Sequence, residues 1–340
     1  MHPNKILIAL TSHAELGSTG RSTGFYVSEA AHPWKVFSDA GYTVDLVSVR
    51  GGEPPRDGED RSDSIQRAFL DDPRMAAQLS ATPSPAAVEA ADYAAVLFAG
   101  GHGTMWDFPD CSPLSALARD IYERGGVVGA VCHGPAALLN VVLSDGARLV
   151  DGRTVAAFSN DEEQSAGLTD VVPFALQTML EESGANYSAG PIFQPWVVRD
   201  GRLVTGQNPA SAAGVADQML AALTSGPREV TESYFAAENR RDLAGILCHF
   251  AEDVRFITPD GQVLEGRKAI EPFYAANAAA IPTLHVTVVD ALSVGDRGTM
   301  EWRAEGRAHD GETVRMRGAN VVTVNNGCFT EFHAYWCNAG

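Results

Sequence analysis

The chain has 340 residues, 45% of them apolar, and a formal net charge of −18; that length exceeds one ordinary core and predicts two globular domains. The acidic balance argues against nucleic acid and anionic membrane surfaces as partners, since both select a basic footprint. Cys111, Cys132, Cys248, Cys328 and Cys337 are scattered without a CxxC pair, which argues against a disulfide framework and against a structural zinc site.

The N-terminal MHPNKILIAL turns polar too soon for a signal peptide, and no apolar run approaches membrane-spanning length. The expected location is the cytoplasm, a reducing compartment where a reactive thiol persists. KILIAL (5–10) reads as a buried strand. Ser28 to Ala40 has helical spacing, with Ala30, Ala31, Trp34 and Phe37 on one face. TVDLVSV (43–49) and AAVLFAG (94–100) are further strands, the second running into Gly100-Gly101-His102-Gly103. Leu114 to Arg124 is a helix closed by Gly125-Gly126, VVGAV (127–131) a strand, and Pro135 to Val142 a helix. Strands alternating with helices predict a parallel sheet covered on both faces. Sites on such sheets lie at the carboxyl ends of strands, where Gly100-Gly101 and Cys132-His133 fall.

Thr224-Ser225-Gly226-Pro227 is turn-rich and marks a linker, so the expected domains are 1–225 and 226–340. Beyond it, Glu229 to Asn239 and Asp242 to Phe250 read as helices. VRFITPDGQVLEG reads as a hairpin around Pro-Asp-Gly, and Lys268 to Ala279 as a helix. Strand-like runs follow at 284–294, 297–308, 312–324 and 328–337. Helices first and antiparallel strands afterwards predict an α+β domain.

In AVCHGPAALL (130–139) a thiol and an imidazole stand side by side where a strand meets a helix. Free backbone N–H groups and the helix dipole favour a thiolate at such a junction. A tight turn exposes the sulfur, and a neighbouring glycine-rich strand end such as Gly100-Gly101 supplies oxyanion donors. The competing reading is a small, buried, inert cysteine.

AVCHGPAALL and the preceding FAGGHGTMWDFPD (98–110) resemble the ThiJ/PfpI family of the class I glutamine amidotransferase-like superfamily, in its glutathione-independent glyoxalase and heat-shock chaperone branch. TGFYVSEAAHPWKVFSDAGYTVDLVS (23–48), GLTDVVPFALQTMLEESGANY (167–187) and DGRLVTGQNPASAAGVAD (200–217) extend the resemblance over roughly residues 4–223. It implies a flavodoxin-like parallel sheet sandwich with a nucleophile elbow. It also implies that Cys132 is the nucleophile with His133 beside it, and that Glu29 of SEAAHP is the acidic residue close to the sulfur. The acid that orients the histidine follows the strand TVAAFS (154–159); spacing favours Glu163, with Asp161 and Glu162 close by. Gly100 and Gly101 would form the oxyanion hole. The implied chemistry converts a small 2-oxoaldehyde such as methylglyoxal to a 2-hydroxy acid without a cofactor. Relatives also include stress chaperones, protein deglycases and isonitrile hydratases, which the elbow alone does not separate. His32 and His102 lie near the expected site but lack a metal-ligand spacing, so no metal is expected. Asp107 is expected to fix its own loop.

EVTESYFAAENRRDLAGILCHFAEDVRFITPDGQVLEGRKAIEPFYAANAAAI (229–281) and the four strand runs resemble a SnoaL-like domain of the nuclear transport factor 2 superfamily. The resemblance implies a curved sheet and helices around a cone-shaped pocket. Tyr234, Phe256, His285, Trp302, Asn320, His333 and Trp336 are the pocket candidates. Tyr335-Trp336 is followed by Cys337 where active relatives often carry Asp, which weakens an acid–base role carried over from them. The expected partners are a small-molecule carbonyl substrate and a second copy in a homodimer, with no nucleic acid and no membrane.

Overall fold

The run KILIAL buries every residue after its lysine, as a central parallel strand must when helices cover both faces. It forms β1 (Lys5–Leu10). Its neighbours are β2 (Thr43–Ser48), β3 (Ala95–Phe98) and β4 (Val127–Val131), and then β5 (Val197–Asp200) and β6 (Leu203–Gly206). The sheet order is β2-β1-β3-β4-β6-β5, parallel except for the β5–β6 pair at one edge. The computed structural model describes residues 4–325 and 327–338, and the chain divides at Ala221/Ala222 into two compact units.

In the first unit the chain leaves β1 for β2 on one side and returns to β3 on the other. That crossover opens a crevice at the carboxyl ends of β1 and β3, where such sheets bind ligands. Helix α1 (Val27–Asp39) begins there and buries Glu29 in its first turn. Helix α2 (Ser112–Glu123) starts with Pro113 and buries Leu114, Leu117, Ala118 and Ile121 at helical spacing. Two expectations change. The segment after the elbow is a short 3₁₀ turn, Gly134–Leu138, not a helix to Val142. Of TVAAFS only Thr154–Val155 is strand, and it pairs with Asn186–Tyr187 outside the main sheet. Phe158 and Ser159 instead turn toward helix α3 (Asn160–Ala166), which opens with a capping box between Ser159 and Glu162. Helix α4 (Ala212–Leu223) follows β6.

The second unit sets α5 (Pro227–Asn239) and α6 (Arg267–Ala280) with a six-stranded sheet. Its strands are β7 (Phe250–Ile257), β8 (Val263–Glu265), β9 (His285–Val294), β10 (Arg297–Arg307), β11 (Thr313–Asn325) and β12 (Cys328–Asn338). The order is β8-β7-β12-β11-β10-β9. Strand β10 alternates strictly between exposed and buried residues, so one face is wet and the other packs inward. The helix expected over Asp242 to Phe250 is shorter, Leu243–Leu247, because Phe250 is claimed by β7.

Aromatic rings dominate this core. Phe250 is fully buried, with the rings of Tyr234, Phe256, Tyr274, Phe329 and Phe332 5.2–5.9 Å from its own. Removing its ring leaves a cavity among side chains that cannot all relax. Phe250→Ala is therefore expected to destabilise the second unit by about 3–5 kcal/mol in urea denaturation; a cost below about 1 kcal/mol would contradict this packing.

Candidate active site

Cys132 follows β4 at φ 60°, the left-handed region that non-glycine residues seldom occupy. Its N–H donates to Gly206 O (2.9 Å), and its carbonyl accepts from Phe158 N (2.8 Å). The backbone is thus held in a strained elbow from both sides. Thr104 Oγ1 lies 2.9 Å from Gly101 O and 3.1 Å from His133 O, joining the glycine turn to the elbow. Gly101 has φ +101°, and a Cβ there would meet Gly24 O at 2.2 Å, so no side chain fits.

Glu29 is fully buried, and its Oε2 accepts from Gly100 N at 2.7 Å. The Gly100 N–H is therefore committed to the carboxyl group and is not the free oxyanion donor expected. The N–H groups that pull on the sulfur belong to Gly101 and His133. Glu29 Oε1 has no hydrogen bond of ordinary geometry, although the Cys132 thiol beside it favours the carboxylate and pulls the Glu29 pKa down. Burial outweighs that pull and raises Glu29 to about 8. Burial also raises the Cys132 thiol well above its ordinary value, with the Glu29 charge adding to the effect. The thiolate expected from a helix start is thus not the resting form. A short 3₁₀ turn carries little dipole, and two acids in one dry site repel as anions. They hold protons rather than two charges.

His133 is the third member. Its Nδ1 faces Cys132 Sγ at 3.3 Å, and its Nε2 meets Glu163 Oε2 at 2.8 Å. Glu163 Oε1 takes a second contact, from His102 Nε2 at 3.0 Å. Burial pushes Glu163 up, but the hydrogen bonds from His102 and His133 outweigh it and hold the carboxyl at about 2. Burial, with His102 adjacent, lowers His133 to about 4 despite Glu163. A carboxylate only accepts, so Nε2 of His133 carries the proton and Nδ1 presents its lone pair to the thiol.

Asp161 and Glu162 stand beside Glu163 without touching His133. Glu162 is the capping-box acid, bonded to Ser159, and it also accepts from Phe193 N and Asn208 Nδ2. Asp107 fixes the distant β1 end through Thr11 Oγ1 and Ser12 N, not its own loop. His32 pairs with Asp63 (2.7 Å). One ligand atom each from His102, His133 and Glu163 lies within 4.8 Å of the others; a cation there would replace the protons that join them. A cleft of ≈ 600 Å³ lies on Phe158 and Glu163, and its lining does not include Cys132.

In the second unit a cavity of ≈ 220 Å³ is lined by Tyr234, Phe256, Trp302, Asn320 and Trp336. His285 and His333 are not in that lining. His285 is exposed opposite Glu305 on the wet face, and His333 alternates with the inward Phe332 and Ala334. Tyr274 and Glu238 line the cavity too, and the Tyr234 and Tyr274 hydroxyls lie 2.7 Å apart.

The profile of the DJ-1/PfpI family matches residues 22–222. The chain belongs to the DJ-1/PfpI family. Within it, the chain is similar to Glyoxalase 3 of Candida albicans, 35% identical over 64% of this chain and 98% of that one. It is likewise similar to the glutathione-independent glyoxalase HSP31 of Saccharomyces cerevisiae, 34% identical over 66% and 99%. The structure of REP24 from Francisella tularensis superposes with a TM-score of 0.62, at 40% identity over 64% of this chain and 97% of that one. Glyoxalase III from Candida albicans gives 0.60 at 32% identity, over 64% and 96%. The flavodoxin-like fold of the first unit is therefore that of DJ-1/PfpI proteins. The second unit matches the SnoaL-like domain profile over residues 231–332.

Sequence reasoning left several residues of this DJ-1/PfpI site unassigned. The sequence marks His102 only as a metal-ligand candidate; in the fold it shares Glu163 with His133. Tyr26 lies near both Glu29 and Cys132, and burial with those neighbours raises its hydroxyl. The Phe158 ring packs 4.4 Å from that of His133. All three lie in stretches that carry the family resemblance or flank Glu163, but nothing local marks their contacts, which the fold alone assembles.

Burying Glu29 carries a stability consequence. Its carboxyl rises from 4.5 unfolded to about 8 folded, so between those values the folded state binds the extra proton. Folding stability then falls as pH rises through that window. Glu29→Gln removes the titration, so its melting temperature is expected to exceed the wild type's by a margin that widens from pH 5 to pH 8. A margin independent of pH would contradict the buried, protonated Glu29.

Proposed function

We propose that the first unit is a cofactor-independent glyoxalase that converts a 2-oxoaldehyde such as methylglyoxal to a 2-hydroxy acid, D-lactate in that case. The convergence of Cys132, Glu29 and His133 carries the proposal. Similarity to proteins named glutathione-independent glyoxalases supports it.

The steps follow from the resting protonation. Cys132 passes its proton to His133 Nδ1 and its sulfur bonds to the aldehyde carbon. Glu29 gives its proton to the aldehyde oxygen, forming a hemithioacetal and leaving a carboxylate. That carboxylate takes the proton from the former aldehyde carbon, and the neighbouring carbonyl becomes an enediolate. Gly101 N–H and the His133 imidazolium offset the developing negative charge. Glu29 returns the proton to the second carbon. The hydroxyl proton on the first carbon moves to the adjacent oxygen, and the first carbon becomes a thioester carbonyl. Water then adds to the thioester, giving a proton to Glu29. The sulfur leaves and recovers its proton from His133. The sum is substrate plus water to hydroxy acid, with every enzyme group restored. Glu163 is a positioning residue, holding the His133 tautomer that accepts the thiol proton.

The protein acts in the cytoplasm, where the thiol stays reduced, and as a homodimer. Exposed Leu292 and Val294 on β9 offer apolar surface for association.

Two assays test the proposal. Purified protein is expected to form lactate from methylglyoxal without glutathione. Cys132→Ala should abolish this, and Glu29→Gln should lower kcat/KM by about a hundredfold or more. Unimpaired Cys132→Ala would refute the nucleophile. The pH profile of kcat/KM is expected to fall below about 4, where His133 charges, and above about 8, where Glu29 loses its proton. A profile still rising past pH 9 would contradict the resting protonation.

A further inference from the structure

The segment between the Asn186–Tyr187 strand and β5 holds three large apolar side chains in water. Ile192 and Phe193 are each 45% exposed and Trp196 38%. A floppy loop would fold such chains inward, but this one is strapped. Gly190 N donates to Gln207 Oε1 (2.8 Å), Phe193 N to Glu162 Oε1 (2.7 Å) and Trp196 N to Ser211 Oγ (3.0 Å). Asn208 Nδ2 bridges Glu162 Oε1 (2.9 Å) and Gln194 O (2.7 Å). Glu162, Gln207, Asn208 and Ser211 are all fully buried. Phe193 itself sits at φ 57°, a costly conformation for a bulky side chain. Buried hydrogen bonds and a left-handed backbone together hold this half-exposed phenyl ring at the surface.

That place lies beside Phe158, two ring contacts out from His133. The Phe193 ring lies 6.2 Å from that of Phe158, within the range of aromatic pairs. The Phe158 ring lies 4.4 Å from His133, and Phe158 N–H bonds the Cys132 carbonyl. A row of rings therefore runs from solvent at Phe193 to the imidazole that faces the sulfur. The methyl group of methylglyoxal offers too little surface for such a platform, whereas an aromatic ring matches it in size and in face geometry.

We propose that loop 190–196 is a preformed subsite for an aromatic substituent on the carbonyl substrate, with Phe193 setting the specificity and Glu162 positioning it. The inference rests on the glyoxalase proposal for the reaction but not for the subsite itself. The substrate class is an aryl 2-oxoaldehyde, its aldehyde carbon at Cys132 and its ring against Phe193.

The test compares kcat/KM for phenylglyoxal and methylglyoxal in the full chain. The wild type is expected to favour the aryl substrate, and Phe193→Ala to cut the aryl-to-methyl ratio about tenfold. Phe193→Tyr, which keeps the ring, should retain the ratio. A ratio unchanged in Phe193→Ala overturns the subsite. So does a loss of oligomeric state in that variant, which would make the loop an interface between copies. If the wild type turns over neither compound, the glyoxalase proposal fails and the subsite is read separately. Phenacyl chloride and chloroacetone then alkylate the thiol, and intact mass gives the rates, with Cys132→Ala as background. A tenfold fall in the phenacyl-to-acetonyl rate ratio on Phe193→Ala supports the subsite, and an unchanged ratio overturns it.

Discussion

Everything in the site depends on two acids buried against each other. Cys132 and Glu29 share a space too dry for two negative charges. One proton too many for water becomes the resting state, with Glu29 neutral near pH 7. In the proposed reaction, a neutral carboxyl group beside the sulfur would donate a proton to an incoming carbonyl. Once it had donated, it would be the base for the next step. The constraint that makes the thiol a poor thiolate at rest also ties its ionisation to that of Glu29.

The remainder of the first unit serves that pair. The crossover between β2, β1 and β3 brings Glu29 to Gly100, residues far apart in the chain. The strained elbow puts the sulfur at the same point, held by Gly206 and Phe158. His133 stays neutral because it is buried, and Glu163 stays charged because two imidazoles hydrogen-bond to it. Opposite fates for adjacent groups give each a separate task. The strapped loop at Phe193 extends the same logic outward, with buried polar groups fixing an apolar surface near the reaction centre.

Local pattern disclosed the scaffold. Apolar runs such as KILIAL and VVGAV, and the alternation in β10, specify strand and face because their period equals that of the structure. The elbow was visible as a polar pair between a strand and Gly-Pro. Glu29 and Glu163 carried no local mark of their role and were reached through family resemblance. Features made by tertiary contact were not legible. The Gly100 N–H was expected at an oxyanion, but only the fold shows that Glu29 already holds it. His285 and His333 depended on strand register, which a lone sequence leaves open. The segment after His133 forms a 3₁₀ turn in which Gly134 sits against the Phe98 carbonyl, leaving no room for a Cβ; no periodicity encodes that approach.

The shared proton is tested most directly by titrating the Cys132 thiol itself. The rate of iodoacetamide alkylation at Cys132, read by peptide mass across pH, gives the thiol's midpoint in wild type and in Glu29→Gln. If Glu29 and Cys132 compete for charge, removing the carboxyl group lowers that midpoint, and the variant's thiol becomes reactive at lower pH. Identical midpoints in the two proteins would contradict the coupling.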